Sequence, residues 1–362
     1  MSDPLILSYS GAQPSIGAGA RLVAEAAIIG RVEAGERLTM GRLATVRADG
    51  HYIHLGSDCS LAERATLHIA DNLLPCVMGD QVTLGRYALV HACTVDDGCV
   101  IGDAAVVMDG ARVGPGAVIA AGALVPPRKQ LPGGWLYSGS PCQPIRPVDV
   151  DELGRLRQAL IKGDAATVVS VPNLPPLGMD PYRPVGAGRG PLYALAGGEP
   201  RIDTYAYVAP TAVIVGNVTV AREASVWFAT VVRAEGARVT IGERANIQDN
   251  CILETDARRG PIIVGNDATI GHNVCMGACV VEDEALIGMG AQLGDGVVVE
   301  RGACVGARAL VDPSTFVKAG YIWAGRPARE FRKLRPDEEE FFRLGKEAYV
   351  AYTHAYLTEP SR

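Results

Sequence analysis

The chain has 362 residues, a formal net charge of −6, and a composition nearly half apolar but only 6% aromatic. That is enough chain for two ordinary domains with sizeable cores, built from small and branched residues rather than rings. No Lys/Arg cluster, signal-like N-terminus or membrane-length apolar run is present, so nucleic acid and membranes are poor partners and a cytoplasmic location is expected.

From the N-terminus, aliphatic residues settle into a six-residue period at Val95, Ile101, Val107, Val113, Ile119 and Val125. A Gly-x-Pro closure (Gly139 to Pro141) follows, then an acidic helix start over about 151–162. Residues 164–198 include VPNLPPLGMDPYRP and read as a linker. The period resumes at Ile202, Val208, Ile214, Val220, Val226 and Val232, and again at Ile241, Ile247 and Leu253. It then runs from Val281 through Ile287, Leu293, Val299, Val305, Val311 and Val317. A second closure (Gly325 to Pro327) precedes a helix over about 336–356, with Phe341, Leu344, Ala348 and Tyr352 at helical spacing.

Period six is neither an α-helix nor a simple alternating strand. It is the hexapeptide pattern of a parallel β-helix, in which six residues make one short strand and one corner, and three such units make a coil. The aliphatic residue points into a triangular prism, and Gly eases the corner. Adding 186 to an N-terminal number gives its C-terminal counterpart without a gap, as in Arg47 to Arg233, Leu84 to Ile270 and Pro141 to Pro327. The expected organisation is an N-terminal β-helix with its helix (1–163), a linker (164–198) and a C-terminal β-helix with its helix (199–362). The nine cysteines include no C-x-x-C pair and read as small apolar core residues, Cys93 and Cys279 at corresponding places.

The C-terminal half carries SVWFATVVRAEG, IGERANIQDN, IVGNDATIGHN and ALIGMGA. On these segments the chain resembles the γ-class carbonic anhydrases, over roughly 16–146 and 202–356. The resemblance implies left-handed prisms that assemble as trimers, with zinc at the seam between neighbours. A homo-oligomer of two-domain chains, a trimer supplying two rings of three prisms, follows from it.

The family's three metal-binding histidines map onto Glu254, His272 and Gly277 in the C-terminal half, and onto His68, Arg86 and His91 in the N-terminal half. Neither half is complete, but each position keeps His in one half. In the family the first and third histidines come from one subunit and the second from its neighbour. The retained His68, His91 and His272 therefore imply one complete site where an N-terminal domain meets a C-terminal one. Three neutral imidazoles and an open position suit a catalytic Zn2+, with Fe2+ or Co2+ as other occupants. Positions 68 and 86 are 18 residues apart, one full coil, and are expected to stack in one column, where Arg86 would repel the ion. The alternative reading of these histidines is relics of an ancestral site.

Asn246, Ile247, Gln248 and Asp249 match the family's N-I-Q-D, whose Gln bonds the zinc-bound water or product. The N-terminal half has Ser60, Leu61, Ala62 and Glu63 there. Arg47–Asp49 and Arg233–Glu235 occupy the family's Arg-x-Asp place near the metal; a structural ion pair is the plainer reading of both. Tyr137, aligned with Trp323, is a candidate pocket residue. The resemblance thus implies a zinc lyase in which zinc-bound hydroxide hydrates CO2 reversibly to bicarbonate. The alternatives are a non-catalytic assembly subunit and a zinc-dependent hydrolase of a small thioester or activated acyl compound. Acyl transfer, common among hexapeptide proteins, fits the N-I-Q-D and I-G-M-G-A segments poorly.

Overall fold

The computed structural model describes residues 3–166, 183–184, 190–195 and 198–358. The chain divides into two compact units, one ending at Asn173 and the other running from Leu174 to Thr358. Each unit is a parallel β-solenoid whose inward aliphatic residues stack in three columns. In the N-terminal unit the first column is Ile28, Val46, Leu67, Val90, Val107 and Val125. The second is Ala34, Leu55, Met78, Val95, Val113 and Leu131. The third is Leu22, Met40, Leu61, Leu84, Ile101, Ile119 and Tyr137.

The C-terminal unit repeats this register at the 186-residue offset: Leu84 pairs with Ile101, and Ile270 with Ile287. Ile287, Leu293 and Val299 are all buried. Alanines two residues before the inward aliphatics, such as Ala65, Ala88, Ala105 and Ala123, are buried in the corners, where a larger side chain would crowd the turn. Gly30 has a positive φ of 78°, and a Cβ there would overlap the Ala48 carbonyl; Gly216 repeats this against Ala234. All nine cysteines are free and only Cys275 is half-exposed; burial pushes the Cys279 thiol up to about 12.

The coil that leaves His68 departs from the expected length. The loop at 69–75, closed by an Ala70–Leu74 bridge, makes His91 and not Arg86 the register partner of His68. The expected 68–86 column is therefore wrong: His68 stacks between Arg47 and His91, while Arg86 sits on the corner after the third face. The solenoid also begins one rung earlier than the period suggests, with Ile6 paired to Ile28 and Leu192 to Ile214. Leu192–Ala194 is thus a strand inside the segment read as a linker, much of which lies outside the described residues.

Helix α1 (Val150–Ala166) is capped by the Asp149 carboxylate, which accepts the Glu152 N–H at 2.7 Å, and it packs on the third face, where Arg157 reaches Gln81 at 3.0 Å. Helix α2 (Pro336–Thr358) has Pro at its first position, and the Glu338 carboxylate turns back to the Arg335 N–H at 3.0 Å. It lies on the first rungs of its third face through Tyr349, Tyr352 and Tyr356, which surround Trp227 at ring-centroid distances of 5.2–6.2 Å. Phe341 and Leu344, expected on the packing face, are exposed. Among the described residues no helix is long and apolar enough to cross a membrane.

Candidate metal centre

Along Thr66–His68 and Leu89–His91, side chains alternate across the sheet. Leu67 and Val90 fill the prism, so the two histidines leave it on the outer surface, one rung apart. Their rings are tilted by 55°, and Nδ1 of His68 lies 3.2 Å from Nε2 of His91. Each remaining ring nitrogen meets a carboxylate. His68 Nε2 is 3.2 Å from Asp49, and His91 Nδ1 is 2.6 Å from Asp109. Asp49 is also bonded by the buried Arg47 guanidinium. Arg47 thus stands behind Asp49 and acts on the histidines through it. Arg86 is turned onto Asp103 of the following coil in a two-pronged pair at 2.7 and 3.1 Å, so its charge is neutralised within its own unit.

In the C-terminal unit His272 follows the inward Ile270 and Gly271, at the corner leaving the third face. Its Nδ1 is 3.0 Å from Asp249, whose other oxygen accepts the Phe228 N–H at 3.0 Å. Its backbone N–H donates to Gln248 Oε1 at 3.1 Å. Gln248 Nε2 donates to Asn246, and Asn246 Nδ2 to Thr269. The N-I-Q-D segment therefore holds His272 through its backbone N–H and sets the Asp249 carboxylate near one ring nitrogen. The other nitrogen, Nε2, is 3.5 Å from the Tyr349 hydroxyl on α2. Sequence reasoning missed Asp109 and Tyr349. The signal for Tyr349 was the spacing of Tyr349, Tyr352 and Tyr356, an aromatic stripe on one face of a helix.

The remaining ligand positions of the C-terminal unit hold ion pairs. Glu254 is bonded by Arg233 at 2.7 Å, and Arg233 also reaches Glu235 at 2.5 Å. Beside Gly277 stand Arg259 and Asp295, 2.7 Å apart, and any Cβ at that position would overlap both. Arg259 holds the Asp295 carboxyl below the usual range. Tyr137 lies three rungs beyond Leu84, about 14 Å at ~4.8 Å per rung. Its hydroxyl donates to the Pro132 carbonyl at 2.8 Å, and it lines a cleft of about 350 Å³ with Lys129 and Trp135, apart from His68 and His91.

The half-site fits a metal. Two nitrogens bound tetrahedrally at 2.0–2.1 Å stand about 3.3 Å apart, close to the observed separation. A carboxylate behind each imidazole is the usual support of a metal-bound histidine. Asp249 makes an ion-pair contact of 3.0 Å with His272 Nδ1, without the hydrogen-bond geometry of the other two.

No family model matches the chain. It is 39% identical over 168 residues to "Gamma carbonic anhydrase 1, mitochondrial" of Arabidopsis thaliana, covering 45% of this chain and 61% of that protein. It is 37% identical over 157 residues to "Carbonic anhydrase" of Geobacillus kaustophilus, covering 43% of this chain and 86% of that one. Among solved structures, a hexapeptide transferase family protein from Anaplasma phagocytophilum is 35% identical, with a TM-score of 0.43, over 44% of this chain and 95% of that one.

Proposed function

Because the chain belongs to the γ-carbonic anhydrase-like family, we propose that it is a zinc lyase that hydrates CO2 reversibly, with one competent site made by His68 and His91 of an N-terminal unit and His272 of a C-terminal unit. One observation carries the reading: two imidazole nitrogens face each other at 3.2 Å while a carboxylate occupies the far nitrogen of each ring. Zinc bound there would supply a water acidified to a pKa of about 7 and a positive charge for the developing bicarbonate.

The chain's own groups do the rest. Asp49 and Asp109 fix the two N-terminal rings, and Asp249 faces the third as an ion-pair partner. Gln248 is clamped by Asn246 and by the His272 backbone, so its amide is oriented in advance for substrate oxygens. The Tyr349 hydroxyl, beside His272 Nε2, is a second polar group placed to bond a substrate or product oxygen. Arg233, tied to Glu254 and Glu235, has a structural role in this account, and Arg47 a supporting one through Asp49. An assembly of three chains, inferred from the family, brings units of both kinds together.

The test is metal analysis of the intact purified protein combined with a CO2 hydration assay. Zinc together with hydration supports the lyase. Zinc without hydration refutes CO2 as substrate and directs attention to small thioesters, which the same chemistry would cleave. Absence of zinc after growth in zinc-replete medium refutes the enzyme and leaves an assembly subunit.

A further inference from the structure

We infer that the two N-terminal histidines present different ring nitrogens to the metal position, His68 its Nδ1 and His91 its Nε2, and that Asp109 is the positioning residue that sets the second; this rests on the metal reading above. His68 and His91 are register partners on a parallel ladder, so their Cβ atoms stack about one rung apart. Identical side-chain conformations would place like atoms over like. The 55° tilt and 5.2 Å centroid distance break that equivalence and bring Nδ1 of one ring to Nε2 of the other.

Carboxylates bracket the pair from both sides. Asp49 comes from the rung before His68, two residues after its register partner Arg47. Asp109 comes from the rung after His91, two residues after Val107, the register partner of Val90. An ionised carboxylate only accepts, so the ring nitrogen facing it must carry the hydrogen. That leaves the opposite nitrogen of each ring with its lone pair directed into the 3.2 Å gap. With both rings neutral those lone pairs face each other, and a proton or a metal ion between them relieves the repulsion. The geometry turns opposite faces of two like residues toward one position between them. Asp49 divides its acceptor capacity between Arg47 and His68. Asp109 makes the shorter contact, 2.6 Å, to His91.

The experiment uses the full chain, metal-free and labelled with 15N in histidine, read by long-range proton–nitrogen correlations at about pH 8, above the ordinary histidine range. The wild type should show protonated Nδ1 for His91 and protonated Nε2 for His68. Asp109→Ala should convert His91 to the Nε2–H form that free imidazole favours, leave His68 unchanged, and weaken zinc binding about 10- to 100-fold. Asp109→Asn, whose amide oxygen still accepts, should keep the wild-type tautomer and most of the affinity. A wild-type His91 protonated on Nε2 overturns the inference without any variant. So does an Asp109→Ala protein with unchanged tautomer and affinity. The tautomers are read without metal, so a failure of zinc binding is distinguishable from a failure of the assignment.

Discussion

His68 and His91 are register partners on adjacent rungs, and the nitrogens they turn toward each other, Nδ1 and Nε2, are 3.2 Å apart. The corresponding rungs of the C-terminal unit carry Glu254 and Gly277, with Glu254 held by Arg233. At these positions one unit carries a pair of histidines and the other carries ion pairs.

The C-terminal column should be silent toward metal. Glu254→Ala is expected to leave zinc content unchanged, because the carboxylate is engaged by Arg233 and is no ligand in this account. The pair is part-exposed, so the stability cost should stay within about 1 kcal/mol. Elemental analysis and a denaturant melt check both. Loss of zinc in this variant would place the metal in the wrong column.

The prism itself should be intolerant of charge. Ile287 is fully buried between Ile270 and Val305 in one inward column. Ile287→Asp should cost about 3 kcal/mol or more, since nothing in the column can bond a carboxylate. Urea unfolding of the variant measures it; a loss below about 1 kcal/mol would contradict a dry, packed column.

Tyr349 offers a test that separates chemistry from metal retention. Its ring packs on Trp227 and Tyr352, and its hydroxyl is 3.5 Å from His272 Nε2. Tyr349→Phe keeps the ring and removes the hydroxyl. Zinc content should be preserved, while kcat/KM for CO2 hydration falls up to about tenfold, the worth of one hydrogen bond. Unchanged kinetics would remove Tyr349 from the site.

The start of α2 has a pH signature. Hydrogen bonds from Arg332 hold the Glu338 carboxyl down to about 2, from an ordinary 4.5. A depressed folded-state pKa contributes stability that is present above about 4.5 and is lost as pH falls toward 2. Glu338→Gln should therefore destabilise at neutral pH, by about 1 kcal/mol given solvent screening, with the difference from wild type shrinking below pH ~4.5. Melting temperatures of both proteins across that window decide it. A difference constant with pH would show that the ion pair contributes nothing.

Much of the fold was legible because a six-residue period has one physical solution. Ile101 and Ile119 announce their column by spacing alone, and Ile287 and Val305 repeat it. The site was legible only in part. Counting 18 residues from His68 led to Arg86, because a loop inserted at 69–75 lengthens that coil, and loop length leaves no mark on the period of its neighbours. Asp103, which neutralises Arg86, and Asp109, which bonds His91, come from the following coil and look in sequence like any corner aspartate. Tyr349 is 77 residues from His272 and reaches it only through helix docking. Tyr137, a candidate pocket residue by its alignment with Trp323, lines a cleft at the end of an inward column, apart from His68 and His91.

The most direct measurement is the zinc content of the full-length protein and of two single variants, His68→Ala and His272→Ala, purified identically. The account predicts zinc in the wild type and its loss from both variants to the same degree, although the two residues belong to different units. Zinc retained by His272→Ala at the wild-type level would contradict the composite site and leave the N-terminal pair as a relic.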